Sequence, residues 1–456
     1  LPTEARADDC LLDRDNDGNV DIGSTDNDGG ADSGGVDARL ACGVGAQATG
    51  GSSTAVGGSS EATGSGSVAL GNNADATMNG ATAIGFFADA TGLDSTALGN
   101  QAVASAESSI AIGFFSDATR NNAIAIGSDG ADADSLGAQA TGFDSIALGA
   151  DADASADGAI SIGRLSDATG VGAVALGRST SAALDAVAVG DGANAALEGA
   201  IAIGASSEAT QTFTIAIGGD KDGDGEGAVA AGFDNVAIGA DAVASGFFGT
   251  ALGARAGALS QNATAIGNEA QAGFQGTAVG SGSSALFFGA VALGVGAEAD
   301  EFASIAIGSF ATSPGVTSIA IGDRANATST LGIALGSFSG ATGDRAIAIG
   351  GYGTDNSGGF EGAQATGASS IALGTEAAAT ADDATAIGLN AVASQTGAIA
   401  FGTNAEASEK SSIAVGVGAS SAGASAAAFG AAASSSAADA TAVGSDSVAS
   451  GVSAAA

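Results

Sequence analysis

The sequence contains no histidine, no tryptophan and a single tyrosine. Those absences remove most general-base and transition-metal chemistry before any motif is sought. Basic residues are scarce: 11 Lys and Arg stand against 50 Asp and Glu, a formal net charge of −39. That sign excludes nucleic acid as a partner, because phosphate binding needs cationic side chains. So acidic a chain suits a saline setting, or bound divalent cations that screen its self-repulsion. Two prolines beside 77 glycines exclude collagen, and 4% aromatic content excludes a core of large side chains. The 45% hydrophobic share is mostly alanine, so any interior is narrow. No apolar run approaches a membrane span, and no membrane insertion is expected. The two cysteines, Cys10 and Cys42, read as one disulfide tying the N-terminal segment to the rest of the chain, with two reduced thiols as the alternative. With a chain that starts at Leu1, this reads as an exported protein whose leader has been removed.

What is present is a beat. A glycine after a small-apolar pair returns about every fourteen residues: Ala-Val-Gly57, Ala-Leu-Gly71, Ala-Ile-Gly85, and onward to Gly416, Gly430 and Gly444. A period this short cannot hold a helical hairpin or a propeller blade, but it fits one turn of a β-solenoid. Residues 1–39 are non-repetitive and acidic, and residues 40–456 form the solenoid. Thirteen-residue coils before Gly190 and Gly280 are short enough for a turn to absorb. Gly- and Asp-rich insertions near 128–138, 219–228 and 351–362 leave the phase intact and read as surface loops.

Around Gly113 the frame is Ile110-Ala111-Ile112 as first strand, a turn through Phe114-Phe115, and Ser116-Asp117-Ala118 as second strand. Four residues after the glycine the side chain is often acidic, as at Glu61, Asp75, Asp89, Asp117, Asp153, Asp167 and Glu208. Alternation puts these acids in solvent and their small neighbours inside. The first strand is apolar on both faces. If alanine fills a thin roll, the Ile/Leu/Val stripe faces outward and needs burial against identical chains. The opposite orientation, a monomer with that stripe inside, fits the period equally well.

Asp13-Arg14-Asp15-Asn16-Asp17-Gly18-Asn19-Val20-Asp21 follows the first half of a calcium loop. Acids at spacings of two converge on a hard cation, and glycine at the sixth position permits the sharp bend. Asp13, Asp15, Asp17, Asn19 and Asp21 are the expected Ca2+ ligands there, although the twelfth position is Ser24 rather than Glu. Asp220, Asp222, Asp224 and Glu226 repeat the pattern, and Asp129, Asp132 and Asp134 form a weaker one. Phenylalanines at turns, among them Phe86-Phe87, Phe114-Phe115, Phe247-Phe248 and Phe287-Phe288, read as cover for the roll's edges or as a lateral patch. A threonine rank through Thr63, Thr77, Thr91 and Thr119 leaves an ice-binding solenoid as a minor alternative. No convergent set of acids and bases marks a catalytic cleft, so no enzyme is expected.

The runs Ser109-Ile110-Ala111-Ile112-Gly113, Ser145-Ile146-Ala147-Leu148-Gly149 and Ser304-Ile305-Ala306-Ile307-Gly308 resemble the head repeats of trimeric autotransporter adhesins, the YadA-like heads. The resemblance covers essentially residues 40–456. It implies a left-handed parallel β-roll that homotrimerises with the Ile/Val/Leu stripe at the shared interface, and adhesion as the activity. The sequence carries no heptad stalk and no β-barrel anchor, and it stops at Ala454-Ala455-Ala456. On these features the expectation is a secreted or cell-surface, non-enzymatic rod, a filament subunit of trimers stacked head to tail. The alternative is an adhesin head that binds host cells, matrix or surfaces.

Overall fold

The computed structural model describes residues 31–33, 38–130, 136–353 and 361–456. They fold into parallel β-solenoid coils without a helix, in two compact units, Leu1–Ala230 and Ala231–Ala456. The two units together carry 28 three-residue first strands. The division follows the 219–228 insertion, at a point where the repeat shows no loss of phase.

Within each unit successive first strands pair in register, so like stacks on like. Ile110, Ala111 and Ile112 stand opposite Ile124, Ala125 and Ile126, which in turn meet Ile146, Ala147 and Leu148. The first coil is Leu40–Cys42, paired with Thr54–Val56, and Asp32 bridges to Gln47 ahead of the second-strand ladder. The short coils lose their residue in the second turn, because Asp167 meets Ser181 at a spacing of fourteen and Val174 meets Val187 at thirteen. All three insertions lengthen the same place, the first turn after the coil glycine, and pairing resumes past each of them.

The interior settles which way the first strand faces. Its middle alanine is fully buried, as at Ala111, Ala125 and Ala147, and so are the small residues beside the second-strand acid, as at Ser116 and Ala118. Among the described residues every fully buried hydrophobic side chain is an alanine, and the largest fully buried side chains are Asn235, Thr180 and Thr214. Two sheets this close leave room for little more than a methyl or hydroxymethyl from each side, and none of the buried side chains among the described residues is as large as Leu or Ile. Ile, Leu and Val therefore turn outward: Leu70, Leu98 and Leu148 are each more than 40% exposed.

Serines hold the corners. Ser116 Oγ donates to the Gly113 carbonyl at 3.1 Å and Ser109 Oγ to the Ala106 carbonyl at 2.7 Å, and the same bond recurs from coil to coil. A hydroxyl small enough for the thin core thus satisfies a turn carbonyl that the ladder leaves free. Asn235 takes this corner once, accepting from Gly249 N at 2.7 Å and donating to the Ala244 carbonyl at 2.6 Å. It fits because Gly232 and Gly249 have no Cβ beside it.

Candidate functional site

The outward stripe is the most extensive feature. In the first unit it runs through Leu70, Leu98, Leu148, Leu176 and Ile203, and in the second through Leu252, Ile321, Leu373, Ile399 and Phe401, all exposed. Large exposed apolar surfaces of this kind mark interaction sites.

The second-strand ladder carries the acids, and here the expectation of full solvent exposure is corrected. Asp75, Asp89, Asp117, Asp153 and Asp167 are all half-buried, whereas the longer Glu208, Glu298 and Glu406 reach solvent. A coil above and a coil below cover each short aspartate. One carboxylate oxygen each of Asp89, Asp117 and Asp167 is buried without a hydrogen-bond donor. Burial pushes all five aspartates above the ordinary aspartate pKa. The neighbouring charges of Glu61 and Asp89 add to the rise at Asp75, and that of Asp167 adds to it at Asp153. Like charges stacked in register account for those additions: Glu61 pairs with Asp75, Asp75 with Asp89, and Asp153 with Asp167.

A carboxyl whose folded pKa is raised contributes stability that is complete below its unfolded pKa and is lost as pH rises through the folded one. The first unit is therefore expected to gain stability as pH falls from neutrality toward the ordinary aspartate range. A variant carrying Asp89→Asn, Asp117→Asn and Asp167→Asn should melt higher than wild type at pH 7. That difference should shrink as the pH is lowered. A variant less stable than wild type at pH 7 would contradict this account.

Among the described residues one group of acids converges. Asp220, Asp222 and Asp224 each bring a carboxylate oxygen within 4.8 Å of the others, at the tip of the 219–228 insertion. Glu226, expected as a fourth ligand, is not part of that group. Both Asp220 oxygens accept backbone N–H bonds, from Gly223 at 2.6 Å and Gly225 at 2.9 Å, and Asp224 Oδ1 accepts from Glu226 N at 2.8 Å. Each oxygen keeps a second lone pair, so the three carboxylates offer three of the roughly six to eight oxygen ligands that a calcium ion takes. Asp13, Asp15, Asp17, Asn19 and Asp21 lie outside the described residues, as do Asp132, Asp134 and Cys10. Cys42 is disulfide-bonded. Asp129 anchors its insertion through its backbone, donating N–H to the Phe114 carbonyl at 3.0 Å. A crevice of about 170 Å³ lies beside that insertion, lined by Leu136, Gly137, Gln139, Asp151 and Asp153. Its titratable lining side chains are the carboxyls of Asp151 and Asp153.

Two features escape a reading of the sequence. Each insertion re-enters the coil at a glycine, Gly137, Gly227 or Gly362, where a Cβ would lie within 2.6 Å of a carbonyl oxygen of the preceding coil. The Gly-Ala pair closing each insertion is the signal that could have shown it. Both turns of a coil also place one residue in the left-handed region, and Phe87, Phe115, Phe248, Phe310 and Phe338 occupy it at φ between 53° and 59°. The turn phenylalanines Phe87, Phe248 and Phe310 are exposed. Arg324 lies over both the Phe310 and Phe338 rings, at 5.8 and 5.3 Å. Within the threonine rank, Thr63 Oγ1 donates to the Thr77 carbonyl at 3.2 Å.

The sequence matches the YadA head domain repeat in a succession of windows, from residues 48–74 through 104–129, 140–166, 183–220, 244–270 and 288–325 to 393–419. Together the windows span more than half of the chain. No curated protein matches it significantly.

Proposed function

The chain belongs to the YadA head family, and from that membership we propose that it acts as the adhesin-like head of a trimeric surface protein. Heads of this family are trimeric, extracellular and non-enzymatic. The observation that carries the reading is the outward Ile/Leu/Val stripe over a core in which, among the described residues, alanine is the only buried hydrophobic side chain. A roll this thin cannot bury its own large side chains, so identical rolls must bury them for it. The family match moves the conclusion from the filament expected above to its alternative, the adhesin head. The ligand is a cell, matrix or material surface. Adhesion is tested by coating beads with the purified chain and counting those retained under flow on matrix-coated and cell-coated surfaces. Retention well above that of uncoated beads is expected. Retention no higher than that of uncoated beads on every surface would contradict an adhesive role.

Calcium is part of the same proposal. Asp220, Asp222 and Asp224 would hold the ion, which would supply a compact positive charge in a loop that otherwise concentrates negative charge. The affinity expected for an extracellular module is about 10⁻⁴–10⁻³ M. Calorimetric titration of the wild type should show binding that weakens when Asp222→Asn and Asp224→Asn are introduced together. Identical titration curves would remove this loop as a site.

A further inference from the structure

In the second unit the second turns of successive coils form an aromatic edge that neither the acid ladder nor the outward stripe explains. Phe233 and Phe247 stack across neighbouring coils with ring centroids 5.7 Å apart, and, one coil beyond Gln261, Phe274, Phe288 and Phe302 form a second stack at 5.4 and 5.2 Å. All five remain between 38% and 50% exposed, so stacking satisfies only part of each ring.

The middle of this edge is free of charge in a chain of net charge −39: second-turn residues 245–248, 259–262, 273–275 and 286–289 include no charged side chain, whereas Asp234 follows Phe233, and Asp300 and Glu301 precede Phe302. Close approach of two such acidic molecules is least unfavourable where the charge is absent. Phe248, beside Phe247, is 54% exposed at a turn position that Gly289 fills in a later coil.

The edge is continuous with the stripe. Phe247-Phe248-Gly249 runs directly into Thr250-Ala251-Leu252, and Phe287-Phe288-Gly289 into the strand Val291–Leu293. Three rolls that turn their first sheets to a common axis place the second-turn edge of each beside the first-turn edge of the next. Such a heterologous contact closes after three copies. The first-turn edge of the same unit offers apolar surface at Val295 and Phe310, 52% and 51% exposed.

We infer that the Phe233–Phe302 edge is a contact between protomers, seated on the adjacent copy of this chain. The inference rests on the trimeric-head reading. It assigns the aromatic ladder to the inside of the assembly and leaves the second-strand face and the insertion loops as the surfaces that meet ligands.

The test compares wild type with Phe274→Ser/Phe288→Ser by sedimentation equilibrium. Both side chains are exposed in the single chain, so each roll should fold without them. The trimer-to-monomer midpoint is expected to move to at least about tenfold higher protein concentration. Hydroxyl-radical footprinting is the second readout: Phe274 and Phe288 should be labelled several-fold less in the wild-type trimer than in wild type diluted to monomer. An unchanged midpoint with unprotected rings overturns the inference while leaving the trimer standing. Loss of larger bundles alone, with the trimer unaffected, also overturns it and makes the edge a contact between separate assemblies. A wild type that is monomeric at all concentrations defeats the trimeric-head reading itself.

Discussion

Replacing Gly113 with alanine is expected to open the solenoid at that coil, at a cost of at least about 3 kcal/mol. Gly113 holds φ +136°, a region that side-chain-bearing residues rarely adopt, and an added Cβ would lie 2.3 Å from the Gly127 carbonyl oxygen. That oxygen belongs to the next coil's glycine, which is itself held by Gly127 N donating to the Ile112 carbonyl at 2.8 Å. Relief therefore requires the coils to part. Because each coil touches only its neighbours, the damage should be local. Hydrogen exchange should show lost protection over the coils on either side and near-native protection several coils away. Gly66→Ala is the control. Gly66 also has positive φ, +70°, but an added Cβ would meet nothing within 4 Å. That variant should cost only about 1–2 kcal/mol, the penalty of the left-handed conformation itself. Equal effects from the two substitutions would mean that close stacking of the coil glycines contributes nothing.

The second large effect separates the two faces of the first strand. Leu148→Asp together with Leu176→Asp should leave each roll folded and abolish the trimer, since these side chains are 41% and 38% exposed in the single chain. Three copies would bring six such carboxylates together in a desolvated interface, where an unpaired charge is far more costly than an exposed one. Ala147→Asp, one residue away and fully buried, should instead unfold its coil. Circular dichroism and sedimentation together distinguish the outcomes. If the leucine variants unfold and the alanine variant does not, the strand faces the other way.

Much of the fold is legible in the sequence, because the period alone specifies a coil and its glycine. The strands, the short coils and the three insertions follow from counting between Ala-Ile-Gly113 and its relatives. The facing of Ile110-Ala111-Ile112 does not follow, since both sides of the strand are apolar and period two is symmetric between them. It is decided by the width of the roll, which among the described residues admits alanine, serine and a few residues up to the size of Asn235 but no Ile, Leu or Val. The half-burial of Asp89 and Asp117 is hidden for a related reason. Alternation places a side chain outside, but the shading of a short carboxylate by the coils above and below is a property of the stack. At the insertion tip, spacing identifies Asp220, Asp222 and Asp224 as convergent, while Glu226 illustrates that a ligand pattern in sequence does not guarantee arrival at the site. The left-handed phenylalanines run against propensity. A bulky aromatic at such a turn gives no local signal, because the stack imposes the left-handed conformation on whichever residue holds the position.

The most direct test of the trimeric head is the mass of the purified chain in solution, measured by light scattering across a concentration range in salt and calcium. A plateau at three chains that holds over that range is the predicted result. A mass of one chain would contradict it, because the outward stripe would then be stable in water without a partner. A mass that climbs without a plateau would also contradict it, replacing the closed head with open-ended assembly.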